Sequence, residues 1–119
     1  MREILFRGKD IAGNWHYGTP LIFTDDYVCM TAPHTYNKAV IPETVGQYTG
    51  KTDKNGKKIF EGDILKGSWN TVFVVYYDEC YLQFRAKKAD GYTREMDYYG
   101  ESKECEIIGN IHDNPELMN

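Results

Sequence analysis

The sequence predicts a mainly β fold, a small barrel-like or sandwich domain of many short antiparallel strands with little helix. Three observations carry that expectation. Ten tyrosines, five phenylalanines and two tryptophans make the chain aromatic-rich, and aromatic side chains favour pleated, half-buried surfaces. Apolar residues alternate with polar ones in short runs, with no long stretch at helical spacing. Gly, Pro and Asp punctuate those runs at regular intervals, the pattern of a small sheet domain.

Taken in order, residues 2–7 read as a first strand with Ile4 and Phe6 on one face, and 8–14 as a turn. Trp15-His16-Tyr17 resumes the extended pattern until Gly18-Thr19-Pro20 interrupts it. Leu21-Ile22-Phe23 is apolar on both faces and predicts a more central strand. Asp25-Asp26 turns the chain into a strand over 27–31. A loop with Pro33 and His34 follows over 32–37, then a brief strand over 38–41 closed by Pro42.

The stretch 43–65, ETVGQYTGKTDKNGKKIFEGDIL, organises the rest. Val45, Gln47 and Thr49 alternate with Gly46 and Tyr48 in an extended segment. Asp53-Lys54-Asn55-Gly56 supplies turn chemistry, since Asn-Gly is a strong hairpin signal and both residues tolerate positive φ. Ile59-Phe60 resumes the strand, Gly62-Asp63 bends it, and Ile64-Leu65 start another.

Gly67-Ser68-Trp69-Asn70 connects to TVFVVYY at 71–77, a dense run that predicts a strand covered on both faces. It should pair as a hairpin with 80–86, in which Cys80, Leu82, Phe84 and Ala86 point one way. Residues 87–100 are polar with weak periodicity, a long loop holding one short helical or extended piece. Alternation returns over 104–111, with Cys105, Ile107 and Ile111 inward in phase with Gly109. Asn114 is positioned as the N-cap of a terminal turn opened by Pro115.

A chain of 119 residues suits one domain, 1–119. Its net charge of -4 comes from the tail, where 101–119 hold five acids and one lysine. That balance disfavours a protein that coats duplex nucleic acid. Basic residues still cluster locally, at Lys51, Lys54, Lys57 and Lys58, and at Arg85, Lys87 and Lys88. Cys29, Cys80 and Cys105 form an odd set without C-x-x-C spacing, which fits reduced cysteines better than a disulfide framework. No apolar run approaches the ~18–20 residues of a membrane span, and the charged first residues do not resemble a signal peptide. These features predict a cytoplasmic location and no membrane partner.

Catalytic motifs fail on spacing. Gly46 and Gly50-Lys51-Thr52 enclose three residues where a phosphate loop needs four, and a turn follows where a helix should begin. Asp53-Lys54-Asn55-Gly56 begins like a calcium loop but lacks the later ligands. His16, His34 and His112 have no ligand spacing to one another or to the cysteines, so no metal and no cofactor is expected. Asp25-Asp26 and Asp78-Glu79 sit on turns, where solvated acids are common. No catalytic residue is assigned, and a non-enzyme is expected.

The binding candidates are Tyr48, Lys51, Lys54, Lys57 and Lys58, with Trp69 and Arg85. Cations beside rings can hold phosphates and stack bases. Set against this, a lysine-rich hairpin tip also serves to block edge-to-edge pairing.

MREILFRG, GNWHYG, the whole 43–65 stretch and EIIGNIHDNPELM occur in an order that resembles the YopX-like family, small proteins encoded mostly by bacteriophages and prophages. Little of 67–103 takes part in the resemblance. It implies a single barrel-like β domain working in the bacterial host cytoplasm, and it brings no catalytic residues. The reading is a non-enzymatic accessory protein that binds a host or phage macromolecule, with a homo-oligomer as one form. The alternative is a binder of nucleotide or single-stranded nucleic acid through the lysine turn.

Overall fold

The structure, a computed structural model, describes residues 3–31 and 37–119. The loop expected over 32–37, including His34, falls almost wholly outside the described residues. The fold is mainly β, and the described residues form two antiparallel sheets and five single-turn 3-10 segments. Neither sheet closes into a barrel, because each strand order runs from one edge to the other without returning. The chain divides into two compact units, Met1–Tyr48 and Thr49–Asn119.

In the first unit, β1 (Phe6–Lys9), β2 (Trp15–Phe23), β3 (Val28–Thr31), β4 (Lys38–Val40) and the start of β5 (Gly46–Thr52) pair in the order β4-β3-β2-β1-β5. Val28, Met30 and Val40 form its core, with Phe6 and Val45 against them. Gly8 permits that packing: a Cβ there would lie 2.6 Å from Val40 Cγ2. The first strand therefore runs later than expected, through Gly8 and Lys9, and ends where Asp10 caps the turn. Its Oδ1 accepts the N–H groups of Ala12 and Asn14, each at 2.9 Å, and its Oδ2 lies 2.7 Å from His16 Nε2.

The central-strand expectation for Leu21-Ile22-Phe23 is corrected. All three are more than half exposed. β2 continues straight through Gly18-Thr19-Pro20, but β1 pairs with it only as far as Gly18. Beyond that point its described neighbour is β3 alone, across a register shift between Pro20 and Ile22.

In the second unit the rest of β5 pairs with β6 (Lys58–Phe60). A five-stranded sheet runs in the order β10-β9-β8-β7-β11. Its strands are β7 (Asp63–Lys66), β8 (Val72–Asp78), β9 (Gln83–Lys87), β10 (Thr93–Glu95) and β11 (Glu106–Asn110). Ile59, Leu65, Phe73, Val75, Ala86, Met96 and Cys105 make the core. The β8–β9 hairpin forms as expected, yet Cys80 and Leu82 are exposed and do not point inward. Asp78 Oδ1 accepts the N–H groups of Cys80 (2.9 Å) and Tyr81 (3.3 Å), which holds 79–82 in a turn instead of a strand. Cys105 is buried, and that burial pushes its thiol pKa up. Asn114 precedes the terminal turn but does not cap it with its side chain; its Oδ1 accepts the Asn110 N–H at 3.3 Å.

Candidate functional site

The β5–β6 turn is fixed by one carboxylate. Asp53 N–H donates to the Lys57 carbonyl (2.8 Å) and Gly56 N–H to the Asp53 carbonyl (3.0 Å), with Gly56 at φ 80°. Asp53 itself is 3% exposed. Its oxygens accept the N–H groups of Asn55 and Lys57 at 2.9 Å and of Ile107 at 3.0 Å. Burial alone would raise its pKa. The hydrogen bonds from Ile107, Lys57 and Asn55, together with the Lys57 charge, outweigh that and hold the carboxyl below its ordinary value. The Lys54 N–H donates to the Cys105 carbonyl at 2.9 Å. The turn is thus latched to β11 and the residue before it.

That latch decides what the lysines can do. Lys51 Nζ pairs with Asp97 at 3.4 Å, and Lys54 Nζ with Glu106 at 3.3 Å. Lys57 and Lys58 are exposed. Beside Lys51 opens a cleft of about 300 Å³, lined also by Gln83, Phe84, Glu95, Met96 and Asp97. Two carboxylates against one lysine make it a poor place for a phosphate.

Two candidates change role. Tyr48 is only 9% exposed, so its ring offers no open face to a stacking base. Arg85 is 6% exposed: Nη1 donates to Gln83 Oε1 at 3.0 Å, Nε lies 3.9 Å from Asp78 Oδ2, and the guanidinium sits 4.1 Å from the centre of the Tyr81 ring. Both residues belong to the packed structure.

Trp69 is the opposite case. It is 97% exposed, at φ 60° and ψ 28°, and Asn70 follows at φ 56°. Thr71 N–H donates to the Ser68 carbonyl at 3.1 Å, closing a left-handed turn around these two residues. Asn tolerates that region; a bulky L-residue there costs about 1–2 kcal/mol. Gly67, just before the turn, is closely packed: a Cβ there would lie 2.2 Å from the Tyr99 carbonyl oxygen.

The strand register sends another aromatic group to the same end of the sheet. Val72, just after the Trp69 turn, pairs with Lys66, while Val74 pairs with Lys87 and Lys87 with Thr93. The turn between β9 and β10 therefore leaves where the Trp69 turn does. There the Arg94 guanidinium carbon lies 3.9 Å from the Tyr98 ring centre and 5.5 Å from that of Tyr92. Both rings are more than half exposed. Sequence reasoning passed over these residues as a polar loop. The signal was the two-residue spacing of Tyr92 and Arg94, which puts them on one side of an extended segment.

Among the described residues, no group of three or more His, Cys, Asp or Glu side chains is placed to hold a metal ion. No described helix is long and apolar enough to cross a membrane.

Fold and surface together define a small, mainly antiparallel β protein whose unusual residues lie on its connections. The chain belongs to the YopX protein family, whose model matches residues 8–119. It is similar along its whole length to the crystal structure of protein EF1440 from Enterococcus faecalis, with 26% identity, full coverage of both chains and a TM-score of 0.63. No curated protein matches it.

Proposed function

We infer that this YopX protein is a non-enzymatic accessory protein of phage or prophage origin, acting in the bacterial host cytoplasm, that binds a macromolecule. The binding surface is the end of the five-stranded sheet that carries Trp69. One observation supports this above the others: a tryptophan 97% exposed in a left-handed turn. Strain of that kind persists where the surroundings impose it, and it gathers at sites that bind. Tryptophan is also among the residues that dominate binding energy when a partner buries them.

The experiment is affinity purification of the tagged chain from phage-infected cells, alongside Trp69→Gly, identifying proteins and nucleic acids. A macromolecule retained by the wild type and lost by Trp69→Gly is the expected result. Equal retention by both would remove Trp69 from the surface. Sedimentation of the same preparations reads whether the chain acts as a homo-oligomer.

A further inference from the structure

We propose that the cleft beside Lys51 is a second binding site, one that seats a lysine or arginine side chain of a protein partner between Glu95 and Asp97. The cleft lies within the second unit, at the other end of β8 from Trp69. That strand begins at Val72, just after the Trp69 turn, and ends at Asp78, where the β8–β9 turn leads into Gln83 and Phe84 of the lining. The two surfaces are independent of each other.

Charge is the first reason. Of the two carboxylates that line the cleft, Asp97 already holds a cation, with Lys51 Nζ at 3.4 Å. The chain itself thus seats one ammonium group here. Glu95 has no such counterpart: among the described residues it forms no ion pair. Arg85, its partner across the strands, turns to Asp78 and Gln83 instead. Arg94, next to it in sequence, projects from the other face of the strand and is hydrogen-bonded to Tyr98. The lining therefore carries two acids and one base, and a second cation balances it.

The floor selects what carries that cation. Phe84 is half-buried and Met96 buried, and a bare ion would leave their apolar surface uncovered. A lysine or arginine side chain lays its methylene stem along such a surface and keeps its charged head among the carboxylates. A volume of about 300 Å³ stands at the small end of ligand sites, with room for one long side chain. The approach to it is apolar as well. Tyr81 and Leu82, directly ahead of Gln83, are 61% and 76% exposed, so residues flanking the inserted side chain find contact there. Lys51 and Asp97 are each about half exposed, and an ion pair of that kind yields to a competitor at little cost.

The test is an NMR titration of the isotope-labelled full chain with capped tripeptides that carry arginine, lysine or glutamine between two leucines. The arginine and lysine peptides should give saturable shifts at Gln83, Phe84, Glu95 and Asp97 at up to about 10 mM, and the glutamine peptide none. Glu95→Gln combined with Asp97→Asn should weaken binding about fivefold or more. Lys51→Gln, which removes the competing internal cation, should tighten it about twofold. Trp69→Gly should leave it unchanged. Unfolding curves confirm that each variant folds. No saturable shift, an equal response to the glutamine peptide, wild-type affinity in the acid variant, a Lys51→Gln chain that binds no more tightly, or loss of binding in Trp69→Gly would each overturn the proposal. If peptide binding is absent while a macromolecule is still captured in a Trp69-dependent way, this site falls alone. Peptide binding without that capture removes the Trp69 surface and leaves the cleft.

Discussion

Two turns of the second unit solve the same problem in opposite ways. Both join antiparallel strands and both require positive φ. The β5–β6 turn meets that requirement with Gly56, at φ 80°, and ties itself down through the buried Asp53 carboxylate. The β7–β8 turn meets it with Trp69 and Asn70, at φ 60° and 56°, and leaves the indole in solvent. In the first, residue choice, turn type and packing agree. In the second, the residue opposes the backbone it sits in. Conflict of this kind, which Leu82 in the β8–β9 turn shares at φ 53°, marks function more often than poor folding. The difference therefore separates the turn that builds the protein from the turn we propose as the binding surface.

The largest expected effect tests the structural turn. Asp53→Ala leaves three backbone N–H groups without their acceptor and should destabilise the fold by about 3 kcal/mol in urea unfolding. A loss within about 0.5 kcal/mol, the scale of an ordinary surface change, would remove the latch from the account.

The same carboxylate should shape the acid response. Its pKa is lowered in the folded state, so its stabilisation is complete above the unfolded carboxylate value of about 4 and disappears as pH falls through the folded value. Wild type should lose stability on that limb, and the gap to Asp53→Asn should narrow as pH drops. Parallel curves for the two proteins down to low pH would contradict the assignment.

Gly56→Val comes next. A Cβ there meets nothing within 4 Å, so the cost is conformational alone. A loss of somewhat more than about 1 kcal/mol is expected by thermal or urea unfolding, because a β-branched residue fits poorly at φ 80°. An unchanged midpoint would mean that the turn relaxes into another form.

How legible each turn was follows from where its information lies. Asp53-Lys54-Asn55-Gly56 could be read because turn chemistry is local, and so could the strands on either side. The carboxylate's third partner, Ile107, lies 54 residues away and gave no sign in the sequence. Leu21-Ile22-Phe23 was misread because an apolar run shows what could be buried, while the early end of β1 at Phe6 decides what is. Arg85 and Tyr48 looked available in a list of cations and rings, and the fold buries both. Trp69 was a candidate by residue type alone. Its left-handed backbone, the feature that singles it out, is set by the register of β7 and β8.

The most direct measurement of the central contrast is the stability of Trp69→Gly. The indole is almost wholly solvent-exposed, so removing it deletes little packing, and glycine relieves the left-handed strain. Equilibrium unfolding should show the variant more stable than wild type by about 0.5–1 kcal/mol, with a melting midpoint a few degrees higher. A variant less stable than wild type would show that Trp69 supports the fold, and the division between a structural turn and a binding turn would collapse.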